Sequence, residues 1–478
     1  LIPVDKMGNT LTVALADPAN IFILDELKLL TKFEIIPLIS YESDILRAID
    51  QYYRGGAMEQ VLKDIQDSEM EVVSDTDKDV DVADMKAMSD EAPVIKWVNA
   101  LLQQAIRDRA SDIHIEAFEY TIRVRFRVDG SLVEVSPPPR RLYAPIVSRI
   151  KILSEMDIAE RRLPQDGRFK VKIEDRVVDL RVSIIPTVFG EKVVMRILDR
   201  SSLVLDLTKL GFEGDTLRIF NEQISRPYGM VLVSGPTGSG KTTTLYSALS
   251  TVNSPDVNIM TIEDPVEYQL SGVNQVQAKS EIGLTFAAGL RSFLRQDPDI
   301  ILVGEIRDLE TAEIAIKAAM TGHLVFSTIH TNDAPSTVTR LTDMGVEPFL
   351  VTASLNMVVA QRLVRRICPR CKETYVPSKD VLQSFILPEN VSKDNITFSR
   401  GMGCDFCNKT GYRGRVSLYE ILVVTDIIRE ALIDGQSLIY IKKLARDNGM
   451  RTLRESGILK VLEGLTTLEE VFGATIAD

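Results

Sequence analysis

Hydrophobic and polar positions follow three different rhythms along this chain. Short apolar runs at 11–15 and 35–39 predict strands, and 3.6-period stretches at 21–30 and 43–52 predict helices, together a small α/β module over 1–53. From residue 92, Val94, Ile95, Val98, Leu101, Leu102, Ala105 and Ile106 fall on one helical stripe. Alternation over 112–116 and 121–128 predicts strands with one wet face, and Asp129-Gly130 supplies a hairpin turn. A helix over 144–153 and strands over 177–184 and 192–198 complete an α+β domain spanning 92–200. From 207 the rhythm changes again. Apolar runs at 230–234, 258–262, 299–303 and 324–329 alternate with helical stretches at 242–252, 286–295 and 311–320, which predicts a parallel sheet covered on both faces. A cysteine-bearing insertion over 368–415 and a helical tail follow, and the paired cysteine knuckles are the one internal repetition.

Composition narrows the classes. A chain of 478 residues, 45% hydrophobic and 26% charged, has the make-up of a globular protein of several domains. Lys and Arg total 56 against 68 Asp and Glu, a net charge of -12, so no global basic field exists to hold a nucleic-acid backbone. Residues 54–91 carry 12 acidic and 4 basic side chains, which predicts a solvated acidic linker holding most of that negative charge. The apolar run over 348–361 falls short of the roughly 18–20 residues that span a bilayer, so no transmembrane segment is expected. The chain opens on Leu1 with no signal peptide after it, and further sequence upstream is expected.

Gly235-Pro-Thr-Gly-Ser-Gly-Lys-Thr242 fits the P-loop pattern and lies where that pattern works, between a predicted strand and a predicted helix. Glycines let successive amides turn in on a phosphate, and the helix N-terminus adds partial positive charge. Gly235, Pro236, Thr237, Gly238, Ser239, Gly240, Lys241, Thr242 and Thr243 are therefore the candidate nucleotide-binding residues, with Lys241 for the β- and γ-phosphates and the Thr242 hydroxyl for Mg²⁺. A second element, the run 300–303 followed by Gly304-Glu305, looks like a Walker B segment with Gly in place of the usual Asp. A third, Thr261-Ile-Glu-Asp-Pro-Val-Glu-Tyr268, is an acidic cluster at the end of another predicted strand. Either cluster stands where a parallel sheet binds its ligands. Glu305 is the candidate water-activating residue and Glu267 its partner, while Glu263 and Asp264 fit a turn or cap beside Pro265 as well as they fit direct ligation.

These motifs occur together with Thr321-Gly-His-Leu-Val-Phe-Ser-Thr-Ile-His330. In this combination the chain resembles the secretion ATPases of the type II and type IV pilus superfamily along nearly its whole length. The cysteine pairs and the N-terminal module point away from the shorter retraction ATPases. Glu281-Ile-Gly-Leu-Thr-Phe-Ala-Ala and Gly345-Val-Glu-Pro-Phe-Leu-Val-Thr-Ala-Ser are most similar to the PilB-like pilus-extension branch, with the type II secretion branch, which powers pseudopilus assembly, close behind.

The resemblance implies a RecA-like P-loop ATPase domain over 208–478, an α+β (PAS-like) N2 domain over 92–200, an interdomain linker over 201–207 and a partial N1 module over 1–53. It further implies a homo-hexamer with nucleotide between N2 and the ATPase domain. Two N2 arginines on the γ-phosphate map onto Arg181 and Arg196, although an arginine on a wet strand face is ordinarily just solvated. Arg161, Arg162 and Arg168 form a further basic group that faces either a neighbouring subunit or the nucleotide. His323 and His330 read as hydrogen-bonding sensors that report the γ-phosphate across the subunit interface, and His114 as a structural hydrogen-bonder. The implied partners are an inner-membrane platform protein (PilC-like) and cytoplasmic ring proteins of the pilus machine, at a cytoplasmic, membrane-peripheral address. A RecA-like hexamer also admits a nucleic-acid translocase, which the acidic charge disfavours. Cyclic-dinucleotide recognition, known among such ATPases, is expected to lie upstream of Leu1.

All four cysteines fall into two knuckles, Cys368-Pro-Arg-Cys371 and Cys404-Asp-Phe-Cys407, which suit a closed Cys₄ zinc site that staples the insertion. A redox pair is the alternative, and no thioredoxin-like context accompanies it.

Overall fold

A computed structural model describes residues 1–8, 10–16, 23–24, 27–28, 31–41, 45, 71–73, 92–173, 176–199, 205–378, 381–382 and 396–476. The helices expected at 21–30 and 43–52 lie largely outside the described residues, as does the acidic linker apart from 71–73. The chain divides into two compact units, Leu1–Ser201 and Ser202–Asp478.

In the first unit, β1 (Ile2–Met7), β2 (Thr10–Leu15) and β3 (Glu34–Ile39) form a small sheet, antiparallel between β1 and β2 and parallel between β2 and β3. A larger sheet is built from β4 (Glu71–Val73), β5 (Ala110–Ala117), β6 (Ile122–Val128), β7 (Ser131–Val135), β8 (Gln165–Ile173), β9 (Arg176–Thr187) and β10 (Gly190–Asp199), in the order β4-β8-β9-β10-β5-β6-β7 and antiparallel throughout. β4 corrects the reading of 54–91 as linker throughout, because Glu71–Val73 pairs with Lys170–Lys172. Helices α1 (Ala92–Arg107) and α2 (Tyr143–Leu153) cover one face. Trp97, Leu101 and Ile146 pack there on Ile113, Val124, Leu180 and Met195, as the period-2 pattern requires. The opposite face holds the charged positions of the same strands.

The second unit contains α3 (Gly214–Ile224), β11 (Gly229–Ser234), α4 (Lys241–Val252), β12 (Ile259–Glu263), β13 (Asn274–Gln277), α5 (Phe286–Phe293), β14 (Ile300–Val303), α6 (Leu309–Met320), β15 (Leu324–Ile329), α7 (Ala334–Asp343), α8 (Pro348–Ser354) and β16 (Leu355–Ile367). It continues with β17 (Lys372–Tyr375), β18 (Phe398–Gly401), β19 (Tyr412–Val423) and helices α9 (Asp426–Ile433), α10 (Leu438–Asp447), α11 (Leu453–Leu462) and α12 (Leu468–Ala474). The main sheet runs β13-β12-β14-β15-β11-β16-β19 and is parallel except for β19. Every residue of β11, β14 and β15 is buried, because separate apolar cores lie on the two faces. No helix among the described residues is long and apolar enough to cross a membrane.

Candidate active site and metal centre

The C-terminal ends of β11, β14 and β15 share one edge of this sheet. At the end of β11 the chain turns through Gly235, Gly238 and Gly240 at φ of 143°, 80° and 90°, backbone that side chains rarely adopt, and enters α4 at Lys241. A Cβ on Gly235 would stand 2.5 Å from the Gln361 carbonyl, and one on Gly240 would stand 2.8 Å from the Gln361 amide nitrogen. The glycines are therefore required by sterics as well as by dihedral. Lys241 Nζ folds back onto the loop, donating to the carbonyls of Gly235 (2.7 Å) and Pro236 (3.1 Å). Ser239 Oγ is buried inside the loop with no hydrogen-bond partner. A cationic donor resting on loop carbonyls, an orphaned hydroxyl and first-turn amides without helical partners form a donor set that fits a polyphosphate. Burial pushes the Lys241 ammonium down to about 8; Glu305 opposes that shift and Arg362 adds to it.

Glu305 follows β14 across the sheet edge. Gly304 before it is crowded, since a Cβ would meet Ile262 O, Glu263 Cα and the Phe286 ring at 3.3 Å. Its backbone is pinned by Gly304 N donating to Ile262 O (2.8 Å) and by Thr328 Oγ1 donating to Gly304 O (2.7 Å). A side chain at the usual Walker B aspartate position would have to push its neighbours aside, and the first carboxylate in the segment is Glu305. Its side chain is 12% exposed, pairs with Arg307, and lies 3.7 Å from His330 Nε2 at the end of β15. Lys241, Glu305 and His330 are thus brought together.

Glu263 is held by side chains of this unit. It is buried at the end of β12, accepting from Thr261 Oγ1 (2.6 Å), Gln275 Nε2 (3.2 Å) and the Tyr246 hydroxyl of α4. Gln275 Nε2 also donates to the Tyr268 carbonyl (3.0 Å), so the segment that follows Glu267 is tied through Gln275 and Glu263 to Tyr246 on the helix that opens at Lys241. Nothing in the sequence marks Tyr246 for this. His323 lies at the opposite edge of the sheet, before β15 starts, with Nδ1 2.9 Å from the Ala318 carbonyl at the end of α6. His114 departs from expectation: both ring nitrogens are buried with no hydrogen-bond partner.

Arg181 and Arg196 belong to the other unit. They face each other across β9 and β10, Arg168 on β8 extends the row beside Arg181, and Arg196 Nε donates to Asp112 (3.2 Å). Sequence reasoning missed Gln361 and Arg362 on β16. The only available signal was a pair of polar residues interrupting an apolar run.

The knuckles meet at the junction of β16 and β19. All four Sγ atoms lie within 4.8 Å of one another, with Cys368–Cys404 at 3.9 Å, Cys371–Cys407 at 3.8 Å and Cys404–Cys407 at 3.7 Å. A tetrahedral ion with bonds of about 2.3 Å needs sulfur edges of about 3.8 Å, so the set fits zinc. Burial pushes the Cys407 thiol up, but the amides of Cys404 (3.2 Å) and Gly411 (3.3 Å) donate to its Sγ and, with the neighbouring thiols, bring it below the usual thiol range.

A family model described as type II/IV secretion system protein matches residues 87–473, and one for the MshEN domain matches residues 1–59. The type IV pilus assembly ATPase PilB of Myxococcus xanthus is 54% identical over 484 residues, covering 100% of this chain and 84% of that one. Type II secretion system protein E of Xanthomonas campestris pv. campestris is 47% identical over 476 residues, covering 99% and 83%. Among solved structures, the pilus retraction motor PilT with bound ADP superposes at a TM-score of 0.53 and 27% identity, over 79% of this chain and 96% of that one. With its P-loop, Walker B glutamate and acidic box set on one parallel sheet, the chain belongs to the type II/IV secretion ATPases.

Proposed function

We propose that the chain is the motor subunit of a hexamer that hydrolyses ATP to extend type IV pili. The observation that carries this is the shared sheet edge where Lys241 meets Glu305 and His330, in a chain similar along its full length to pilus-assembly ATPases. Lys241 and the loop amides bind the phosphates, and Glu305 orients the attacking water with Glu267 as its partner. The Thr242 hydroxyl would hold Mg²⁺, which supplies charge neutralisation between the phosphates. Arg181 and Arg196, on the N2 domain (92–200), contribute guanidinium forks to the γ-phosphate across the 201–207 linker, so catalysis requires closure of N2 on the ATPase domain (208–478). Closure is the work output, delivered to an inner-membrane platform protein at the cytoplasmic face. Cys368, Cys371, Cys404 and Cys407 would hold zinc as a structural staple. The type II secretion reading rests on the comparably long match to protein E.

The test pairs chemistry with phenotype. Purified protein is expected to hydrolyse ATP with magnesium and to stop when magnesium is chelated. In a strain lacking its own extension ATPase the gene is expected to restore surface pili. Restored protein secretion without pili would select the type II reading.

Lys241 gives the site a pH signature. The protonated amine is the form that holds phosphate, and the empty cradle keeps it only below about pH 8. ATP affinity is therefore expected to be flat up to about pH 8 and to weaken about tenfold per pH unit above it, as binding takes up the missing proton. Calorimetric titration at constant free magnesium from about pH 7 to about pH 9.5 measures it; an affinity unchanged across that range would contradict it.

A further inference from the structure

Arg362 stands one residue beyond Gln361 on β16, at the rear of the phosphate cradle. Its guanidinium is half-buried and forked: Nη1 donates to the Gln361 carbonyl at 3.0 Å and Nη2 to the Asn332 carbonyl at 2.8 Å. The first carbonyl is the one against which Gly235 is packed, and the second lies two residues past His330. Among the described residues no carboxylate lies within ion-pairing distance of Arg362. Asp333 and Glu420 attract it from farther away, and both are otherwise engaged. Asp333 accepts from Lys442 Nζ (2.7 Å) and Ser336 N (2.7 Å), and Glu420 from Ala334 N (2.6 Å) and Leu453 N (3.1 Å).

A half-buried cation beside the cradle lysine, spent on two neutral carbonyls, costs stability that a neutral glutamine would avoid. What the planar fork gains is geometry, because one rigid group fixes two main-chain segments at once. We propose that Arg362 is a positioning residue whose fork clamps the carbonyl behind the phosphate cradle to the segment that follows His330, and so holds His330 against Glu305. The clamp lies within one unit and needs no second subunit. As a contributor to turnover it rests on the ATPase reading above; as a piece of geometry it does not.

Arg362→Lys keeps the charge and removes the fork, and Arg362→Gln removes both. In each variant ATP turnover is expected to fall about 10–100-fold, the scale of a misplaced catalytic group, with ADP affinity within about threefold of the parent. The chain has 3 histidines, so ¹³C-labelled imidazole resonances resolve His330 from His114 and His323 without nucleotide present. The His330 signal is expected to move in Arg362→Lys while the other two stay. An unmoved His330 overturns the clamp whether or not the protein hydrolyses ATP. A Lys variant turning over at half the parental rate or better, or one losing ADP affinity in step with turnover, overturns it as well. A parent protein that shows no turnover counts against the ATPase reading alone, since the resonance still judges the clamp.

Discussion

Glu305→Gln is expected to lower ATP turnover by about 10²–10⁴-fold while ATP and ADP bind within about threefold of the parent. Glutamine has nearly the same shape and still offers a carbonyl oxygen to Arg307, so the loop after β14 should keep its course. What disappears is the negative charge that can take a proton from water. The residue has no ready substitute beside it, because Gly304 before it is crowded and the next residues, Ile306 and Arg307, carry no carboxylate. Glu267→Gln is the control that divides the two candidate carboxylates. Steady-state turnover together with equilibrium binding reads both. A Glu305→Gln protein at parental turnover, with Glu267→Gln inactive, would transfer the role to Glu267.

Loss of metal from the knuckles is expected to have the largest effect on stability. Sulfur edges of 3.7–3.9 Å place four thiol groups closer than their thiolates would tolerate without a cation between them. The centre ties several elements together. Cys368 N donates to Gly411 O (2.9 Å), Ile367 N to Leu465 O (2.8 Å) and Thr466 Oγ1 to Arg365 O (2.8 Å), while Phe398, Val461 and Val471 share a small core. Because β16 runs from this junction back to Gln361 and the cradle, loosening one end also slackens the other. Chelation, or Cys368→Ser, is expected to lower the melting temperature by on the order of 10 °C and to reduce ATP turnover secondarily. Calorimetry with elemental analysis checks this, and the parent is expected to carry about one zinc per chain. An unaltered melting temperature in a zinc-free Cys368→Ser protein would contradict it.

Local signals were legible where the chemistry is local. The P-loop announces itself because its glycines, lysine and helix start are contiguous, and β11, β14 and β15 because a strand buried on both faces is a continuous apolar run. The run over 348–361 shows the limit: it contains all of α8 and the first half of β16, and periodicity cannot divide a fully buried stretch into helix and strand. Gln361 and Arg362 show in the sequence only as two polar residues where that run is interrupted. Glu263 and Glu267 could not be told apart because what distinguishes them is Tyr246 and Gln275, both distant in sequence and neither marked by composition. The cysteines were legible by type, but their meeting depends on the antiparallel pairing of β16 with β19, which no spacing rule supplies.

The most direct measurement traps the nucleotide. Glu305→Gln protein incubated with γ-labelled ATP and magnesium, then separated rapidly from free ligand, is predicted to retain intact triphosphate under conditions in which the parent yields ADP and phosphate. Recovery of ADP from the variant at the parental rate, or of no nucleotide from either protein, would contradict a cradle at Lys241 that works through Glu305.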